Sequence, residues 1–283
     1  MISREPNAVA ARFRNLIDRP DDEIDLAEAA LLIAKSVNAD LDVSSYLSRI
    51  EALAAQLAQR LQNCTSETER ILALNRFLFD EQGFAPNIDN YYDPRNSFLN
   101  EVLERRVGIP ISLSILYIEV GRRAGLPLRG VSFPGHFLVK CKVDDGLIVL
   151  DPYCRGVSLS LNDLQQRLRE VKGGEVSRAI IAGMLVAANK KEILARVLRN
   201  LKAIYVERQD DNAALSVTEW IIALTPADAL EVRDRGLLYA KLECPRAAME
   251  DFERYLELAP DAEDAPALRM RMVELRQAAS RLN

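Results

Sequence analysis

The chain has 283 residues, with 37 Lys and Arg against 42 Asp and Glu, so its net charge is −5. That length accommodates two domains with separate cores, and 49% hydrophobic with 28% charged residues is the balance of a globular chain rather than a disordered or membrane-embedded one. The acidic balance leaves no basic stripe to neutralise phosphates, so no nucleic-acid partner is expected, and a single histidine excludes zinc sites of the HExxH kind.

The N-terminal residues 1–7 hold an acid and a proline where a leader would have an apolar core, and the uncharged run at 179–188 is too short to cross a bilayer. A cytoplasmic protein without a membrane partner is expected. The cysteines Cys64, Cys141, Cys154 and Cys244 include no CxxC pair, which fits reduced thiols.

Helices come first. At 22–37 the apolar residues Ile24, Leu26, Ala27, Ala30, Leu31 and Ala34 recur at spacings of three and four, which predicts one buried helical face. A second helix is predicted at 43–61. A third, at 69–79, follows the caps Thr65 and Ser66, and Gly83 and Pro86 end it. Residues 87–96 are polar and aromatic, with Asp93-Pro94 and several Asn, and read as a long ordered loop. A short helix at 97–105 leads to Gly108-Ile109-Pro110. The next helix, to residue 124, has Pro110 at its first position and Gly125 just past its end.

From Arg129 the texture is β. Val131, Phe133 and the run 137–143 are followed by an Asp144-Asp145-Gly146 turn and the apolar run 147–150, a hairpin signal. The C-terminal third is helical and repeats every 34 residues: Tyr205 returns as Tyr239, Ala214 as Ala248, Leu224 as Leu258 and Pro226 as Pro260. That period belongs to the tetratricopeptide repeat. The second copy carries Gly236, Tyr239, Ala248, Phe252 and Pro260 in the repeat's pattern. The first has Lys202 where the glycine belongs and Thr218 where the aromatic belongs. A terminal capping helix is expected at 264–282.

The middle segment resembles the transglutaminase-like, or papain-like, superfamily. The resemblance lies in Gly108-Ile109-Pro110, the helix to Gly125-Leu126-Pro127, Gly135-His136-Phe137 at a strand start, and Leu150-Asp151-Pro152 one hairpin later. With the blocks 96–103 and 132–139 and the C-terminal repeats, the chain is similar to the bacterial SirB-type family from about Asp22 onward. The resemblance implies an α+β fold, with helices on a small antiparallel sheet at 1–180, followed by all-α repeats at 181–283.

Such a site works through a thiolate at a helix N-terminus, a histidine that takes its proton, and an acid that orients the imidazole. His136 and Asp151 match the last two parts. An antiparallel hairpin sets them side by side. At the nucleophile the chain departs from the pattern: laying Gly108 and Gly125 on the family's glycines puts Pro110 in the cysteine's place, and proline has no nucleophilic atom. Ser112, in the first turn of the same helix, is the nearest hydroxyl. It is read either as a nucleophile acting with His136 and Asp151 or as a hydrogen-bonder at the helix start. Cys154 is an ordinary thiol in this reading. His136, Cys141, Asp151 and Cys154 are close in sequence, yet strand alternation turns His136 and Cys141 to opposite faces, so no metal is expected and no cofactor is implied. The loop residues Asn90, Tyr91, Tyr92, Asp93, Arg95 and Asn96, with Pro110, are read as one wall of a cleft above His136.

The preferred expectation is a degenerate, non-catalytic transglutaminase-like protein that binds a protein or peptide partner through its cleft and repeat groove. The alternative is an amide hydrolase or acyl-transferase using Ser112, His136 and Asp151.

Overall fold

A computed structural model describes residues 5–143, 146–173 and 177–281. By backbone contacts the chain divides into two units, Met1–Leu194 and Ala195–Asn283. The division falls inside a helix, whereas the change of texture in the sequence lies near 180.

In the first unit, α1 (Glu5–Ile17), α2 (Leu26–Lys35), α3 (Val43–Leu61) and α4 (Glu67–Asn75) precede the site. The expected helix at 22–37 is shorter. The Asp25 carboxylate accepts the Glu28 N–H and starts α2 at Leu26, leaving Asp21–Glu23 as a separate 3-10 turn. Ser66 caps α4 in the same way through the Glu69 N–H. The expected helix at 69–79 changes type on the way: α4 passes into a π-helix at Arg76–Glu81, and the Gln82 N–H reaches back to the Phe77 carbonyl.

The loop at 87–96 closes with a 3-10 turn, Pro94–Ser97, whose start is capped by Asp93. A two-residue parallel pairing of β1 (Ala85–Pro86) with β2 (Val107–Gly108) ties the end of the π-helix to the approach to α6. Between them lies α5 (Leu99–Arg105), and α6 (Pro110–Arg123) starts and stops where Pro110 and Gly125 require; Gly125 takes φ +88°.

The sheet is an antiparallel meander of β3 (Leu128–Phe133), β4 (His136–Val143), β5 (Gly146–Asp151) and β6 (Val157–Leu159). Asp144 and Asp145, where the sequence places the turn, lie outside the described residues. One face carries α6: a Cβ on Gly121 would stand 2.4 Å from the Leu128 side chain. The other face buries Val131, Phe133, Leu138 and Val149 against Leu164 and Leu168 of α7 (Leu161–Lys172) and Ile181 of α8 (Arg178–Met184). Seven such buried side chains remove enough apolar surface to contribute on the order of 10 kcal/mol before conformational entropy is counted.

The second unit begins within α9 (Lys190–Glu207) and continues through α10 (Asp211–Leu224), α11 (Ala229–Lys241), α12 (Pro245–Leu258) and α13 (Ala265–Arg281). These are two helix pairs and a terminal helix. Gly236 lets α11 pack closely on α12, since a Cβ there would meet the Phe252 ring at 2.7 Å. Phe252 belongs to a core with Ile222, Val232, Ala248, Tyr255 and Leu268. At the matching positions of the first copy, Thr218 is buried and donates to the Ala214 carbonyl at 2.7 Å. Lys202 reaches Glu231 at 2.6 Å and Asp234 at 2.8 Å, so an ion-pair cluster replaces the glycine contact. Arg199 extends that cluster to Asp228 and Glu231. Among the described residues no helix is long and apolar enough to cross a membrane.

Candidate functional site at His136 and Asp151

His136 opens β4 and Asp151 closes β5. The register pairs Val139 with Leu150, which puts Asp151 beside Leu138 and diagonal to His136 on one face. His136 Nε2 lies 2.9 Å from Asp151 Oδ1. The same oxygen accepts the backbone N–H groups of Tyr153 at 3.0 Å and Cys154 at 3.3 Å, which folds the 3-10 turn Pro152–Cys154 over the carboxylate. Asp151 is fully buried. Arg167 of α7 stands 2.7 Å from Oδ2 and pairs its charge with the carboxylate. Burial pushes the Asp151 carboxyl up, but the His136 hydrogen bond and the charges of His136 and Arg167 outweigh it and leave the pKa at about 2.

An ionised carboxylate at Nε2 selects the imidazole tautomer. In the neutral ring Nε2 carries the proton and Nδ1 presents its lone pair. Among the described residues no group bonds Nδ1, and the imidazole is partly exposed. The dyad therefore offers an oriented acceptor, the part a general base needs.

A chain of aromatic rings adjoins it. His136 meets Tyr153 edge-on at 5.9 Å, Tyr153 meets Tyr91 at 6.5 Å, and Tyr91 meets Tyr92 at 5.2 Å. Tyr92 is largely exposed. The loop at 87–96 thus adjoins the His136 site through Tyr91, one of the loop residues expected there.

Asn96 holds this loop in shape. Its side chain, fully buried, donates to the carbonyls of Asn90 at 2.7 Å and Tyr91 at 3.2 Å and accepts from Asn87 at 2.8 Å. Asp93 is buried, and the Arg95 hydrogen bonds hold its carboxyl below the usual carboxylate range against the opposing effect of burial. Arg105 adds a second positive charge 3.7 Å away. Asn96 and Asp93 therefore act behind the wall, as its frame.

Ser112 belongs to that frame. It is buried in the first turn of α6, donates to the Asn96 carbonyl at 2.6 Å and accepts the Ile109 N–H at 3.1 Å. The structure brings His136 and Asp151 together and bonds the Ser112 hydroxyl elsewhere. Pro110 is buried at the helix start. Of the nearby thiols, Cys141 is buried and its pKa is raised by burial to about 11. Burial and the Asp151 carboxylate likewise raise Cys154, so neither is a ready thiolate.

Three residues that sequence reasoning missed complete the site: Arg167, Tyr153 and Asn75. The signal for Arg167 was present, because Leu161, Leu164, Leu168 and Val171 have helical spacing. Asn75 had none. From the end of α4 it donates to the Gly156 carbonyl at 2.8 Å and accepts from the Tyr117 hydroxyl at 2.7 Å, anchoring the turn that follows Asp151.

Comparison with known proteins agrees with this architecture. A family profile described as the transglutaminase-like superfamily matches residues 44–199, and one described as the tetratricopeptide repeat matches residues 201–273. A UPF0162 protein of Xylella fastidiosa (strain Temecula1) is 40% identical over 265 residues, covering 93% of this chain and 94% of its own. The UPF0162 protein of Pseudomonas aeruginosa is 35% identical over 90% of this chain and 93% of its own. Protein SirB1 of Salmonella typhimurium is 26% identical over 88% of this chain and 92% of its own. No solved structure matches the chain. The chain belongs to the SirB-type family, in which a transglutaminase-like domain is followed by tetratricopeptide repeats.

Proposed function

We propose that this protein is a non-catalytic member of the transglutaminase-like superfamily, a cytoplasmic binding protein that holds a protein or peptide partner at the His136 site and along its repeats. The observation that carries the reading is the hydroxyl of Ser112. Its proton points to the Asn96 carbonyl and its lone pair takes the Ile109 N–H, so attack on a carbonyl would first dismantle the start of α6. Pro110 supplies no substitute. What remains is an oriented imidazole, a buried carboxylate and a row of tyrosines, groups that suit recognition of a peptide's amides and apolar side chains. The acidic chain and the repeats support a protein partner over a nucleic acid.

A second reading, hydrolysis or acyl transfer by Ser112, draws on the open Nδ1 of His136. One assay separates them. Purified protein is incubated with amide, ester and glutamine-containing peptide substrates, alongside His136→Ala and Asp151→Ala. No turnover above background in any of the three is expected. Turnover in the wild type that both substitutions abolish would overturn the binding reading.

A further inference from the structure

A pocket of about 160 Å³ opens in the first unit between α3, the segment after the π-helix and the end of α5. Leu53 and Ala52 of α3 form its sides, together with Phe84 and Leu103, both buried. Two arginines line it, Arg49 and Arg106. Arg49 shares its charge with Glu104. Arg106 is different: its guanidinium bonds only the backbone carbonyl and side-chain oxygen of Gln82 and lies 5.7 Å from the centre of the Phe84 ring. Among the described residues it has no carboxylate partner. An exposed positive charge without a counterion stands beside an apolar hollow.

Arg106 takes φ 58° as the left-handed residue that ends α5, its N–H bonded to the Val102 carbonyl. Gln82 directly follows the π-helix. A hollow of benzene size takes one leucine-like or aromatic side chain rather than a long acyl chain.

We infer that this pocket receives the C-terminal residue of a partner peptide, with an apolar side chain seated against Phe84 and Leu103 and the terminal carboxylate paired with Arg106. The geometry needed is short, since a C-terminal carboxylate is two bonds from the Cβ of the side chain that enters. This site shares no residue with the one at His136 and does not depend on that reading.

The test uses the full chain and two fluorescein-labelled Gly/Ser octapeptides ending in Phe, one with a free C-terminal carboxylate and one amidated, with anisotropy as readout. The free acid is expected to bind at least about ten-fold more tightly than the amide, the scale of one charged hydrogen bond. Arg106→Asn, which keeps a residue tolerant of the left-handed conformation, should weaken the acid to the level of the amide and leave the amide unchanged. Leu53→Trp should abolish binding of both. Circular dichroism melting curves confirm that each variant is folded. Equal binding of acid and amide, binding unaltered by Leu53→Trp, or no binding of either peptide would each overturn the inference.

Discussion

The Ser112 hydroxyl donates to the carbonyl of Asn96 across 2.6 Å while accepting the amide of Ile109, so one buried oxygen joins the start of α6 to the loop that walls the His136 site. Removing it leaves a buried N–H and a buried carbonyl short of partners. Ser112→Ala should therefore lower the unfolding free energy by about 1–3 kcal/mol, measured by urea denaturation. A change within about 0.3 kcal/mol would show that the hydroxyl is not the link described.

Asp151 makes stability depend on acidity. Its folded pKa, about 2, is below the ordinary 3.8 of the unfolded chain. Between those values the unfolded chain takes up a proton that the folded chain does not, so the contribution is complete above about pH 4 and disappears as the pH falls toward 2. It amounts to about 2 kcal/mol. Urea unfolding followed from pH 6 down to pH 2.5 should show the wild type losing more stability than Asp151→Asn, by about that amount. Parallel curves would contradict the assignment.

The turn after Asp151 leaves no room for a side chain at Gly156. A Cβ there would fall 2.0 Å from Asn75 Oδ1, and φ is +74°. Gly156→Ala should cost about 2–4 kcal/mol, from the left-handed backbone and from displacement of Asn75. Thermal unfolding measures it. The double variant with Asn75→Ala should recover part of the loss by removing the clash.

In the second unit, Lys202 keeps two carboxylates paired, one of them the buried Glu231. Lys202→Met leaves Glu231 with Arg199 alone. A loss of about 1–3 kcal/mol is expected in denaturant unfolding, because a buried carboxylate short of charge is costly. The added substitution Glu231→Gln should restore much of it; no restoration would mean that Lys202 stabilises by packing instead.

The sequence by itself determined the elements whose signal is local. Pro110 and Gly125 bound α6 because one residue fits only a helix start and the other only its end. The 34-residue recurrence implied paired helices, since each copy buries its face only on a neighbour. His136 and Asp151 could be paired in advance because a hairpin has period two and one register. The tertiary structure decided the rest. Nothing local in Ser112 says whether its hydroxyl faces a histidine or the Asn96 carbonyl, 16 residues earlier, and that depends on where the loop folds. Asn75 reaches Gly156 across 81 positions of chain, and Arg167 reaches Asp151 from the helix packed over that face of the hairpin. A hydrogen bond or ion pair between distant segments leaves no periodicity in either one. The parts of the site were therefore legible one by one, while their connection, and the uncompensated Arg106 beside its pocket, came only from the packing of the fold.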